Sequence, residues 1–176
     1  MSESVRNWLE RAAEFIPGYS GYQQQEARRD SDKLYREYLA DRLRATKTVL
    51  TDAMLELTAH DGLNRLGTID HSVRKLDRAE NQIRFAAYGY RGFFDTVRIQ
   101  EAQLDELYRF DLSLSENVAN IEKAAQTLRL SVVNKEEIPT MITNVDASLD
   151  ELERVWKRRM DVINGFGQAA SEEQQP

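Results

Sequence analysis

The chemistry-bearing side chains of this sequence gather at few places. His60-Asp61 closes one helical pattern and Asp70-His71 opens the next, so four metal-ligand types face one another across a hairpin tip. Helix electrostatics accounts for most of that arrangement. A histidine at a helix C-terminus and an aspartate at an N-terminus each complement the helix dipole, although His71 gains nothing from it. Three carboxylates, Glu80, Glu101 and Asp111, fall on an otherwise apolar seam. A di-iron helical bundle needs repeated Glu-x-x-His elements. Here Glu56 precedes His60 by four residues, and no glutamate lies three before His71. The seam carboxylates therefore read as register-setting polar positions, or as places where a bundle opens to water. Arg84 lies within helical reach of Glu80, and Arg98 stands one turn before Glu101. Phosphate loops, serine elbows and HExxH or CxxC motifs are absent, and there is no cysteine to serve as nucleophile or ligand. These residues predict a chain that is not an enzyme and uses no cofactor, metal or small-molecule substrate.

The densest unusual segment is Arg84-Phe85-Ala86-Ala87-Tyr88-Gly89-Tyr90-Arg91-Gly92-Phe93-Phe94-Asp95. Small residues there admit a second backbone, and aromatic rings fill the sides of such a crossing. The commoner use of that pattern is a core crossing. The sharper one is a contact surface, because Tyr, Phe and Arg are enriched in interfaces. Arg84, Tyr88, Tyr90, Arg91, Phe93, Phe94 and Asp95 are the candidate interaction residues. Tyr88 and Tyr90 have no base beside them to make them catalytic.

A net charge of −6 removes the driving force for binding nucleic acid and weakens attraction to anionic lipid. The basic runs Arg28-Arg29 and Lys157-Arg158-Arg159 are flanked by acids and read as solvated ion-pair faces. The N-terminus has no basic-then-apolar leader, and no stretch has the roughly 20 apolar residues of a membrane span. A cytoplasmic location is expected.

The elements that must position these groups are helices. Residues 3–16 place Val5, Trp8, Leu9, Phe15 and Ile16 largely on one face, and Pro17-Gly18 ends that helix. A second helix, starting between Gln23 and Asp32, carries the seam Tyr35, Leu39, Leu43, Thr46, Leu50, Ala53 and Leu57, and Asp61-Gly62 closes it. Leu63 to Gly67 reads as a connection. A third helix begins near Thr68 or Asp70, and no proline interrupts its seam between Ile69 and Leu130. The sequence predicts one long spine, with Gly92 or Asp111–Ser115 as kink positions. Asn134 with Glu137, then Pro139, marks the start of a fourth helix. Its seam is Ile138, Met141 or Ile142, Val145, Leu149, Leu152, Trp156, Arg159 and Ile163, and Gly165 and Gly167 close it. The fold class is all-α, an elongated antiparallel, coiled-coil-like bundle whose long central helix is shared by two hairpins. A short amphipathic helix and hinge (1–21) precede the bundle (22–167), and a polar, disordered tail (168–176) follows it.

The segment from Arg84 to Asp95, with Leu104-Asp105-Glu106-Leu107-Tyr108-Arg109-Phe110-Asp111 and the upstream Asp32-Lys33-Leu34-Tyr35-Arg36-Glu37, resembles a prokaryotic all-helical family with no established activity. The likeness spans Gly18 to Leu130 and brings no catalytic residues across. More loosely, the hairpin-plus-spine layout resembles ESCRT-type membrane-remodelling proteins, and a shared layout does not carry function. Two functions are expected from these readings. The first is a non-enzymatic interaction or scaffold protein that binds itself or a protein partner. The alternative is a peripheral membrane-stress or remodelling accessory that docks on lipid through Val5, Trp8, Leu9, Phe15 and Ile16.

Overall fold

The computed structural model describes residues 3–59, 63–86, 100–134 and 137–172. Among these the protein is all-helical, with helices α1 (Glu3–Phe15), α2 (Gln25–Ala59), α3 (Leu63–Arg84), α4 (Glu101–Asn134) and α5 (Ile138–Glu172), and no strand. None of these helices is long and apolar enough to cross a membrane.

The seams sit where the three-four spacing puts them. Tyr35, Leu39, Leu43, Thr46, Leu50, Ala53 and Leu57 are all buried on α2, as are Ile138, Ile142, Val145, Leu149, Leu152, Trp156, Arg159 and Ile163 on α5. On α4 the seam steps through Tyr108, Asp111 and Leu114 without a break, so the expected kink position at Asp111–Ser115 lies inside a continuous helix.

The expected spine is interrupted among the described residues, where α3 ends at Arg84 and α4 starts at Glu101. α3 ends at Arg84 although the apolar spacing continues beyond it. The carbonyls of Ile83 and Arg84 accept hydrogen bonds from Arg36 Nη1 at 3.2 and 2.7 Å, so a buried guanidinium on α2 satisfies the end of α3. α4 starts afresh with a capping arrangement. Gln100 N–H donates to Gln103 Oε1 at 3.0 Å, and Leu104 N–H donates back to Gln100 O.

Three boundaries differ from expectation. Leu63 to Gly67 belongs to α3, with Gly67 facing open space, where a helical glycine is tolerated. Asn134 belongs to α4, and Glu137 instead accepts the first bond of α5, from Met141 N–H. α5 also runs through Gly165 and Gly167 to Glu172, so the tail expected from residue 168 is helical over its first residues. Pro139 lies in the first turn of α5, as its missing N–H favours.

The chain divides into two compact units. One comprises Leu39–Gln82 and Ser115–Arg154. Its ion pairs fix the direction of its helices. Arg44–Glu80 and Lys47–Asp77 run α2 antiparallel to α3. Arg42–Glu122 and Asp52–Arg129 run α2 parallel to α4, and Ser72–Asp146 with Lys75–Asp150 run α3 parallel to α5. Within this unit α2 thus packs on α3 and α4, and α3 on α5. The other unit comprises Met1–Tyr38, Ile83–Leu114 and Val155–Pro176, and it holds the polar constellation described next.

Candidate functional site

Helix α1 is short because Pro17 cannot continue it and Gly18 turns the chain with φ +83. The following loop turns again at Gly21, φ +74, and delivers Tyr22 into the interior. Glycine is required at position 21 twice over. Its φ is left-handed, and a Cβ there would lie 2.7 Å from Tyr108 Oη.

Tyr22 is fully enclosed and held on every side. Its N–H donates to Tyr108 Oη at 2.6 Å, and its carbonyl accepts from Arg28 Nε at 2.7 Å. Its hydroxyl donates to Asp111 Oδ2 at 2.7 Å. The ring stacks on Tyr108 with centroids 5.2 Å apart. Behind it Arg159 joins three helices. Nε donates to Asp111 Oδ1 at 2.7 Å and Nη2 to Asp32 Oδ1 at 2.8 Å, while the guanidinium lies 5.5 Å from the Trp156 ring. Asp32 also accepts from Arg36 Nε at 2.8 Å. The Tyr35 hydroxyl donates to the backbone carbonyl of Asp111. Trp8 packs edge-on against Tyr35 and Tyr19, which closes the cluster from the α1 side.

Burial dominates the electrostatics. It pushes the Tyr22 phenol well above the usual tyrosine value, with the Asp111 carboxylate adding to the shift. It pushes Tyr108 up to about 12, and raises Tyr19 further still. Asp111 is also raised by burial, against the opposing charge of Arg159 and the Tyr22 hydrogen bond. A tyrosine hydroxyl 2.7 Å from a carboxylate has the form of an acid–base pair. Chemistry also needs a way in, and Tyr22, Asp111 and Arg159 are each 0% exposed. What the arrangement does is clasp. It ties α2, α4, α5 and the loop after α1 through directional contacts that only one register satisfies.

The sequence-predicted residues fall as follows. Val5, Trp8 and Ile16 of α1 are buried in this unit, Leu9 is half-buried, and Phe15 lies at the edge, stacked on Tyr38 at 5.1 Å. The apolar face of α1 is therefore covered by protein. Arg84 is half-buried at the end of α3. Tyr88, Tyr90, Arg91, Phe93, Phe94 and Asp95 lie outside the described residues, as do His60, Asp61 and Gly62. His71 is exposed, and Asp70 pairs with Arg74 on its own helix. Glu80 is buried and accepts from Arg44, Glu101 is exposed in the first turn of α4, and Asp111 is the centre of the clasp. Among the described residues no group of three or more ligand-type side chains converges as a metal site would require.

Two readings are corrected. Arg159 is a buried anchor and no part of a solvated face, although Lys157 and Arg158 beside it are exposed. Arg28 is likewise buried, whereas Arg29 is exposed. Tyr19, Tyr22, Asp32 and Arg36 escaped the sequence reading. The signal that could have found the clasp was a pair of opposite charges on two seams, Asp111 on α4 and Arg159 on α5.

No family model matches the chain, and neither a curated protein nor a solved structure matches it.

Proposed function

We propose that this chain is a non-enzymatic helical interaction protein, which associates with itself or with a protein partner through a surface headed by Phe85. One observation carries the reading. Phe85 is 67% exposed immediately after α3 ends, at the head of the aromatic segment Arg84–Asp95. Aromatic rings are favoured at contact surfaces, and this one heads a segment rich in them. The enclosure of the Tyr22–Asp111–Arg159 clasp supports the non-enzymatic half, because that constellation is inaccessible to a substrate. The three-four seams support a further reading, an antiparallel bundle packed in coiled-coil fashion. The lipid-docking alternative requires α1 to expose Val5, Trp8 and Ile16, which are already covered.

The test is light scattering across a concentration series, together with affinity capture from the native host, on the full chain and on Phe85→Glu. The reading expects association or capture by the parent chain and its loss in the variant. A folded Phe85→Glu protein that keeps the same mass distribution and the same partners would move the surface elsewhere.

A further inference from the structure

We infer that residues 3–24 form an exchangeable strap, and that its second docking site is the same clasp in another copy of this chain. The inference rests on the self-association half of the proposed function and adds to it a second interface, separate from the Phe85 surface.

The strap is attached by a set of contacts that another molecule can supply unchanged. Trp8 packs on Tyr35 and Tyr108, Phe15 stacks on Tyr38, and Tyr22 is held by Arg28, Tyr108 and Asp111. Every one of these partners lies beyond the connection that joins the strap to α2. That connection is Gln23–Gln24, two exposed residues between the Tyr22 plug and the first residue of α2. Exchanging an identical element between copies creates no new interface, so its cost is confined to the hinge. Short hinges favour exchange, because they gain most from straightening. Here straightening brings further gain. Gln23 and Gln24 are good helix formers next to a helix start, so an open hinge lengthens α2 backwards with new backbone hydrogen bonds.

A second, independent observation concerns the closed state. Trp8 Nε1 is buried and finds no hydrogen-bond partner among the described residues. It belongs to the strap and is solvated when the strap leaves. A buried donor left unmade penalises closure, so the balance between closed and open forms is nearer to even than the aromatic packing alone implies.

The test uses the absence of native cysteine. Phe15→Cys and Tyr38→Cys are made in separate full-length chains, mixed across a concentration series, and treated with a short bismaleimide. The rings at these positions lie 5.1 Å apart within one chain. A covalent 15-to-38 link between two chains therefore reports a strap seated on its neighbour. Phe15→Cys mixed with Glu116→Cys is the collision control. A third full-length variant carries four Gly/Ser residues inserted between Gln23 and Gln24. Expected are a particle of twice the chain mass at high concentration, a 15-to-38 link in it at least tenfold above the control, and a return to single-chain mass on lengthening the hinge. A dimer that lacks the link, or one that the insertion leaves unchanged, overturns strap exchange while self-association stands. A single-chain mass at every concentration overturns both strap exchange and self-association.

Discussion

Replacing Arg159 by methionine removes the one side chain that joins Asp111 to Asp32, and its effect can be worked from the geometry. Asp32 keeps the guanidinium of Arg36 at 2.8 Å. Asp111 keeps the Tyr22 hydroxyl but loses its charged donor at 2.7 Å while still fully buried. Breaking a buried pair from one side costs about 3–5 kcal/mol, because the partner charge is left uncompensated. That is a large share of the ~5–15 kcal/mol that holds a domain folded. Two signatures separate this cause from lost packing. Asp111 can take up a proton instead of remaining charged, so the deficit should shrink by about 1.4 kcal/mol per pH unit as the pH falls below the variant's Asp111 pKa, which the loss of Arg159 lifts above that of the intact protein. Asp111→Asn in the Arg159→Met background should restore roughly 2 kcal/mol, since the neutral amide still accepts from Tyr22 and needs no counter-charge. Urea unfolding followed by far-ultraviolet circular dichroism measures all three. A cost below ~1 kcal/mol with an unchanged m-value, or no rescue by Asp111→Asn, would refute a clasp centred on this ion pair.

Other outcomes follow from the same contacts. Gly21→Ala forces a side chain into a left-handed residue and within 2.7 Å of Tyr108 Oη, and should cost about 1–3 kcal/mol by chemical denaturation. Tyr108→Phe should recover the steric part of that loss, making the pair non-additive. The buried phenols resist ionisation, so their stability contribution is complete below the ordinary tyrosine pKa of 10.0. It is lost as the pH rises through the folded value, about 12 for Tyr108. Absorbance titration of tyrosinate should therefore show a late class of tyrosines whose ionisation coincides with unfolding. Removing Lys47 or Asp77, an ion pair open to water, should change stability by less than ~1 kcal/mol.

The helices were legible because burial follows a repeat, and the repeat is in the residues. Every seam position from Tyr35 to Leu57 is buried for that reason. Pro17-Gly18 was legible as a stop because its mechanism is local. The break after Arg84 was not, since the apolar spacing runs on past it and the cause is Arg36, almost fifty residues earlier. Arg159 carried two conflicting signals. Its spacing put it on the α5 seam while its run with Lys157 and Arg158 read as a wet face, and burial follows the spacing. Tyr22 lies outside any helix, in the segment between α1 and α2. That a loop side chain becomes a core group depends on Gly21 turning it towards Tyr108 and Asp111, contacts 86 and 89 residues away.

Among the described residues the dense polar constellation is an enclosed clasp seated on Tyr22, which leaves the surface to act. Amide hydrogen exchange at Tyr22, read residue by residue in the full chain, tests it most directly. The Tyr22 N–H donates to a buried hydroxyl, while Gln23 and Gln24 beside it are exposed. The Tyr22 amide should exchange orders of magnitude more slowly than those of Gln23 and Gln24, and Arg159→Met should speed it towards them. A Tyr22 amide that exchanges as fast as its two neighbours in the unmodified protein would contradict the clasp.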